Sequence, residues 1–293
     1  GMAVSDYQTG QINLGRFSLE YIDAIYLNND YAFDIFQSVS MLNSANALQL
    51  FTKRPMFSAS KPYNVSVSFK GGSYTLLQPF VLVENKISKY VSSSFMFDYL
   101  YQKGDYPFQI KNEDSVFYLK RLNADIQSYK LEENLYIHLN EKHDLAVKLF
   151  YNHSYQNLPG AVIFYTISPS QQLWDESIFA QTRYQYNISK KFKFQSNIKW
   201  NYSYLRYLDT NFYNERGKID NDYIQREVYT SNVFLYQVLD NWSFSIANDL
   251  SFSNMDASVS GFSKPIRLQD LTALSSLFYY KKVQMSASII HTY

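Results

Sequence analysis

Residues 192–207 read FKFQSNIKWNYSYLRY. Phe192, Phe194, Ile198, Trp200, Tyr202 and Tyr204 fall on even positions, with Ser196 the exception, while Lys193, Gln195, Asn197, Lys199, Asn201 and Ser203 fall on odd ones. A period of two makes a strand with one apolar and one polar face. At about 3.3 Å per residue it would run about 50 Å, far longer than the usual strand of a globular sheet. Large aromatics along one side of so long a strand must face either a packed core or lipid.

Composition sharpens that choice without making it. Of 293 residues, 28 are Tyr and 22 are Phe, and aromatic residues make up 18% of the chain. Mean hydropathy is nevertheless only −0.32, and no stretch approaches the roughly 18 apolar residues of a membrane-crossing helix. Aromatic surface spread over alternating strands at low hydropathy fits a transmembrane β-barrel. It also fits a soluble aromatic-rich β-sheet binding module of the carbohydrate-binding or lectin kind. The near balance of 27 basic and 26 acidic residues excludes an electrostatic nucleic-acid binder. The absence of cysteine removes disulfides, thiolate metal ligands and thiol nucleophiles. The opening residues GMAVSDYQTG carry neither the basic nor the apolar part of a signal peptide.

Outward from the long strand, the chain divides at Pro55 and Pro62, which bracket a linker. Before them, residues 17–22 (FSLEYI) suggest a short helical turn, 24–27 a strand, 34–45 an irregular stretch and 47–52 (ALQLFT) another strand. We expect residues 1–55 to be a small α+β piece and 62–293 an all-β region. In the latter, Tyr63, Val65, Val67 and Phe69 alternate with polar residues up to Gly71 and Gly72, which predict a tight hairpin turn. Residues 74–84 are apolar on both faces and predict a strand covered on both sides. Residues 91–101 put Val91, Phe95, Phe97, Tyr99 and Tyr101 on one side.

Connection length then alternates strictly along the chain. Long polar loops fall near 102–115, 156–173, 209–222 and 253–265, and short turns at 84–89, 140–144, 189–191, 240–241 and 281–282. An antiparallel meander puts alternate connections at opposite ends, so all long loops share one end. Outer-membrane barrels have that polarity, whereas a soluble sandwich has no need of it. Small polar residues between Trp242, Phe244, Ile246, Leu250 and Phe252 argue for a wet lumen. Aromatics near the turns (Phe192, Trp242, Tyr279, Tyr280) and near the loops (Tyr202, Tyr204, Tyr207) suggest two interface girdles. The fold class expected is therefore all-β: an antiparallel up-and-down transmembrane β-barrel fragment of about eleven strands. Because an odd count with open edges closes poorly, the expectation is a fragment cut at both ends of a larger barrel.

No catalytic constellation is visible, and the chain is not expected to be an enzyme or to carry a cofactor. His138, His143, His153 and His291 have no zinc-like spacing. Aromatics in the long loops, Tyr106, Phe108, Tyr155, Trp174, Phe212 and Tyr213, are candidates for stacking on a ligand above the lumen; each also fits an interface anchor.

The segment at 17–55, FSLEYIDAIYLNNDYAFDIFQSVSMLNSANALQLFTKRP, resembles the second half of the plug domain of a TonB-dependent outer-membrane receptor of the Bacteroidetes type. SVSFKGGSYTLLQP at 66–79 is similar to that family's first barrel hairpin. YPFQI, QSYKLEENLY, NLPGAVIF, QQLWDESIFAQTRY, WNYSYLRYLD and GKIDNDYIQREVY resemble later barrel segments. The order and spacing of these pieces carry the resemblance. SVSMLNSANA at 38–47 departs from the family's glycine-rich turn. The resemblance implies a barrel of about 22 strands, of which this chain would hold the first half behind the end of the plug. It implies a place in the outer membrane of a Gram-negative bacterium, with outer-membrane lipid, TonB and a surface lipoprotein as partners. TonB would act through a segment absent from this sequence. The nutrient implied is scarce and bulky, a cobalamin or a ferric siderophore, with cobalamin favoured. Cobalamin receptors of the family hold calcium in loops like 209–222, which makes Asp209, Asp220 and Asp222 the candidates here.

Overall fold

The computed structural model describes residues 14–28, 34–44, 47–58, 60–112, 114–160, 170–212, 217–259 and 261–293. A single 3-10 turn at Leu14–Arg16 leads into β1 (Ile22–Asn28), helix α1 (Val39–Leu42) and β2 (Ala47–Thr52). The wall strands then begin with β3 (Tyr63–Gly72), β4 (Leu76–Lys86) and β5 (Val91–Gln102). A hairpin of β6 (Pro107–Asn112) and β7 (Ser115–Lys120) interrupts them. The rest are β8 (Ile126–Asn140), β9 (His143–Leu158), β10 (Gln171–Asn187), β11 (Phe192–Asp209), β12 (Ile219–Leu239), β13 (Trp242–Ala257), β14 (Ile266–Tyr280) and β15 (Val283–Thr292). Among the described residues, eleven strands form one antiparallel sheet, β3 to β5 and then β8 to β15, each paired with its neighbours in sequence. β1 pairs with β2, and β6 with β7, as separate ribbons.

After the short β3–β4 turn, the alternation of long loops and short turns holds. Turns of residues 87–90, 141–142, 188–191, 240–241 and 281–282 mark one end, and the connections 103–125, 159–170, 210–218 and 258–265 mark the other. Residues 103–125 contain the β6–β7 ribbon, so the first long loop is built and not simply polar chain.

Polarity across the sheet is inverted relative to a soluble core. Ile198 is 53% and Trp200 44% exposed, while Lys199 between them is 2% exposed. Val67, Phe95, Val228, Ile246, Leu274 and Ile289 likewise stand exposed on the outer face. Ser94, Asp98, Lys130, Glu132, Asn152, Asp175, Ser231 and Asp249 are buried on the inner one. A soluble protein buries its apolar atoms to remove them from water; here the apolar face is left outside and the polar face is covered.

Four local expectations change. Gly71 and Gly72 are the last residues of β3, paired with Leu77 and Leu76. The turn is at 73–75, where Tyr74 and Thr75 take φ 60. A side chain on Gly72 would meet Leu76 Cδ2 at 3.1 Å, a contact that a small shift of the leucine side chain relieves. Residues 17–22 form a turn, closed by Tyr21 N–H donating to Ser18 O, and the helical turn lies later, at α1 inside the stretch expected to be irregular. β4 is covered on one side only: Phe80 and Leu82 are buried, and Leu77 and Val83 are exposed. An apolar strand with only one covered face requires an apolar medium on the other.

Candidate functional site

The inner wall is covered by the N-terminal segment, held at three places. At the first, Arg16 donates through Nε and Nη2 to the Asp175 carboxylate, both at 3.0 Å. Both side chains are almost wholly withdrawn from solvent, and two parallel charge-assisted bonds fix orientation as well as position. Next to it Phe17 meets Phe150, whose ring stacks on Phe179 with centroids 4.6 Å apart.

The second attachment is Tyr21. Its ring packs with Phe80, Leu82 and Met96. Its hydroxyl is hydrogen-bonded with Ser94 Oγ and accepts from Asn134 Nδ2 at 2.9 Å. Burial, then the neighbouring Tyr136, pushes the Tyr21 phenol well above its ordinary pKa. Asn134 also donates to Glu132, which accepts Lys148 Nζ at 2.6 Å. Around Tyr21 the inner polar face is thus a connected network of hydrogen bonds.

At the third, α1 lies on β12, β13 and β14. Val39 packs among Val233, Ala247, Leu271 and Ala273. Ser40 donates from its backbone N–H at 2.8 Å and from Oγ at 2.5 Å to Asp249 Oδ2, which also accepts Tyr229 OH at 2.8 Å. Sequence reasoning missed Arg16, Tyr21, Ser40, Asp175 and Asp249. One signal was available: Asp249 is a carboxylate on a face otherwise made of Ser243, Ser245, Ala247, Ser251 and Ser253, and a charge among such small residues asks for a partner from elsewhere.

The loop-end aromatics divide by face. Tyr155, Trp174 and Arg206 are register partners on β9, β10 and β11. Because side chains alternate, Trp174 points away from its neighbour Asp175 and therefore outward. Tyr155 lies 5.2 Å from Trp174, and Arg206 sits 5.0 Å over the indole while donating to both oxygens of Asp220 at 2.8 and 3.0 Å. These residues form an outer ladder and do not cap the lumen. Tyr106 contacts Tyr74 and Phe108, with Arg121 6.0 Å over the Phe108 ring, so this pair belongs to the β6–β7 loop. In the same loop Lys103, bonded to Asp105, holds that carboxyl below its usual pKa. Phe212 is exposed in the 210–218 connection, and Tyr213 lies outside the described residues.

The three candidate calcium ligands are not brought together. Asp209 is on the inner side, accepting from Ser170 Oγ at 2.8 Å, Gln171 Nε2 at 3.2 Å and the Asn211 N–H at 3.0 Å. Asp220 and Asp222, opposite Leu208 and Arg206, are on the outer side. Among the described residues no three His, Asp or Glu side chains cluster as a metal site would require.

No protein-family model and no curated protein matches the chain. Among solved structures it is similar to the copper transporter OprC, with a TM-score of 0.64 at 7% identity. The likeness is one of fold. It extends over 90% of this chain and 41% of OprC, so the chain spans about two fifths of that transporter's length. Together with the inverted polarity, the OprC likeness places the wall in the class expected from sequence, an antiparallel transmembrane β-barrel fragment.

Proposed function

We propose that the chain is part of a TonB-dependent outer-membrane receptor that imports a scarce, bulky nutrient across the outer membrane of a Gram-negative bacterium. The observation that carries this reading is the docking of residues 14–52 against the polar inner wall through Arg16, Tyr21 and Ser40. A passive pore has no use for an insert held this way, whereas a receptor needs one that stays in place until it is pulled. In this reading residues 1–55 end the plug and residues 62–293 form wall. Energy from TonB reaches the insert through a segment outside this sequence. Ligand is met first at the loop end, where Tyr106, Phe108 and Phe212 are placed to contact it, and a surface lipoprotein could present it there. Outer-membrane lipid covers the apolar face.

Cobalamin or a ferric siderophore is the proposed cargo, supported by the sequence resemblance alone. OprC is a copper transporter, so cupric ion belongs in the comparison. The test is uptake of labelled cobalamin, ferric siderophore and cupric ion by cells expressing the receptor in full, with and without TonB. The expected result is TonB-dependent accumulation of one of the two bulky nutrients. Uptake of neither, or uptake indifferent to TonB, overturns the reading. The rival is a soluble aromatic-rich binding module, and it would require the purified chain to be monodisperse without detergent.

A further inference from the structure

The two faces of β8 differ in kind. Lys130, Glu132 and Asn134 are buried on the inner side, and Leu131, Leu135 and Ile137 alternate with them on the outer side. Glu133 interrupts the outer run. It is in register with Phe95 on β5 and Leu149 on β9, which are 41% and 51% exposed. It is also the midpoint of β8, Ile126–Asn140. At about 3.3 Å per residue it lies more than roughly 20 Å along the strand from either end, deep in an apolar belt about 25 Å tall.

Other carboxylates on the outer face have partners. Glu176 lies 3.6 Å from His153, Asp220 accepts from Arg206, Asp256 accepts from Arg226, and Asp270 accepts from Asn248 Nδ2 at 2.7 Å. Glu133 has no hydrogen bond or ion pair with any described residue. Facing it from β5 and β9 are Ser93, Phe95, Phe97, Val147, Leu149 and Tyr151, none of them charged. A carboxyl group among apolar residues at this depth is costly without a hydrogen-bonding partner. The wall supplies none, so the partner comes from outside it.

We propose that the outer face of β5, β8 and β9 is the contact between two copies of this chain in the membrane, with Glu133 of one copy paired to Glu133 of the other. A two-fold axis along the membrane normal keeps the loop ends of both copies on the same side. It also brings one patch against itself, so the residue nearest the axis meets its own copy. A lysine or arginine there would repel that copy. A neutral carboxylic acid has one O–H donor and an acceptor, so two of them close a ring of two hydrogen bonds, and an apolar medium favours the neutral form. Phe95 and Leu149 then pack around the pair in place of lipid. The inference rests on the membrane-barrel fold and not on the cargo, and it concerns a face that neither the N-terminal segment nor the loop-end aromatics touch.

The chain has no cysteine, so a single Leu149→Cys substitution carries one dye. Donor- and acceptor-labelled chains, labelled in urea and folded together into phosphatidylcholine vesicles, should show energy transfer between copies. Transfer should be weaker from Ile198→Cys, which stands on the same face three strands away. Association through the β3 and β15 edges is indifferent to residue 133, so variants at that position decide the matter. Glu133→Gln keeps a self-complementary pair, because an amide both donates and accepts, and transfer should persist. Glu133→Leu should weaken association about tenfold, the loss of two hydrogen bonds in lipid. Glu133→Lys should abolish transfer among its own copies, and a donor-labelled Glu133→Lys chain should regain it with an acceptor-labelled chain that keeps Glu133. Equal transfer from both dye positions, a Glu133→Leu chain that associates as tightly as the unaltered one, or no transfer between folded copies each overturns the proposal.

Discussion

Ile198, Lys199 and Trp200 are consecutive, and they sit in two opposite physical situations. Ile198 and Trp200 stand outside the wall, and Lys199 is buried inside with its Nζ 5.4 Å over the Phe179 ring. A strand side chain has no freedom to choose its face, so a charge placed at 198 would have to enter the bilayer. Ile198→Lys should therefore cost about 2–4 kcal/mol, measured by urea unfolding of the chain folded into lipid vesicles; a cost near zero would mean that this face meets water. On the inner side, Asp175→Asn removes the carboxylate that accepts both Arg16 bonds and weakens the first attachment of the N-terminal segment. The loss should appear as faster proteolysis or hydrogen exchange at residues 14–21, with the wall strands unchanged. The two faces of the Phe192–Asp209 strand were legible from residues 192–207, and the loop polarity of the whole chain was needed to turn the apolar one outward. The Arg16–Asp175 pair was not, because 159 positions separate its members.

Individual elements show where local rules suffice and where they do not. Strand and turn positions followed from periodicity because each wall strand satisfies its backbone with its sequence neighbours. The β3–β4 turn did not: two glycines attracted the assignment, and the chain turned three residues later, through Tyr74 and Thr75. A β-branched residue in the left-handed region is unfavourable by about 1 kcal/mol, so Thr75→Gly should raise stability by about that amount in the same vesicle assay. The N-terminal element has its own signature. Tyr21 is buried with a raised pKa, whereas an unfolded tyrosine ionises near pH 10. Stability from keeping Tyr21 protonated is fully present below that pH and is lost as pH rises toward the folded value. Alkaline titration above about pH 10 should release the N-terminal segment before the wall unfolds, followed by near-ultraviolet circular dichroism. Tyr21→Phe should abolish that step, and an unchanged step would remove Tyr21 from its cause.

At the scale of the whole molecule, the apolar outer face extends across all eleven wall strands, from Val65 and Val67 on β3 to Met285 and Ile289 on β15. Contiguous apolar surface of this extent is not compatible with a dispersed monomer in water. The purified chain should aggregate without detergent and become dispersed in detergent micelles, as judged by light scattering. A clear, monodisperse solution without detergent would sink the membrane reading. The backbone at the β3 and β15 edges is paired on one side only among the described residues, which makes those edges the first place where copies of the chain would associate.

The sequence by itself determined the sheet, its up-and-down order, the end that carries the long loops and the existence of two faces, because period-two alternation and connection length are local properties. It also suggested lipid as the outer medium, through aromatics that no short core could hold. Only the tertiary structure decided what covers the polar face. Arg16, Tyr21 and Ser40 reach Asp175, Ser94 and Asp249 across 73 to 209 positions of chain. Tertiary structure also separated Trp174 from the lumen and Asp209 from Asp220, since which neighbours share a face depends on strand pairing.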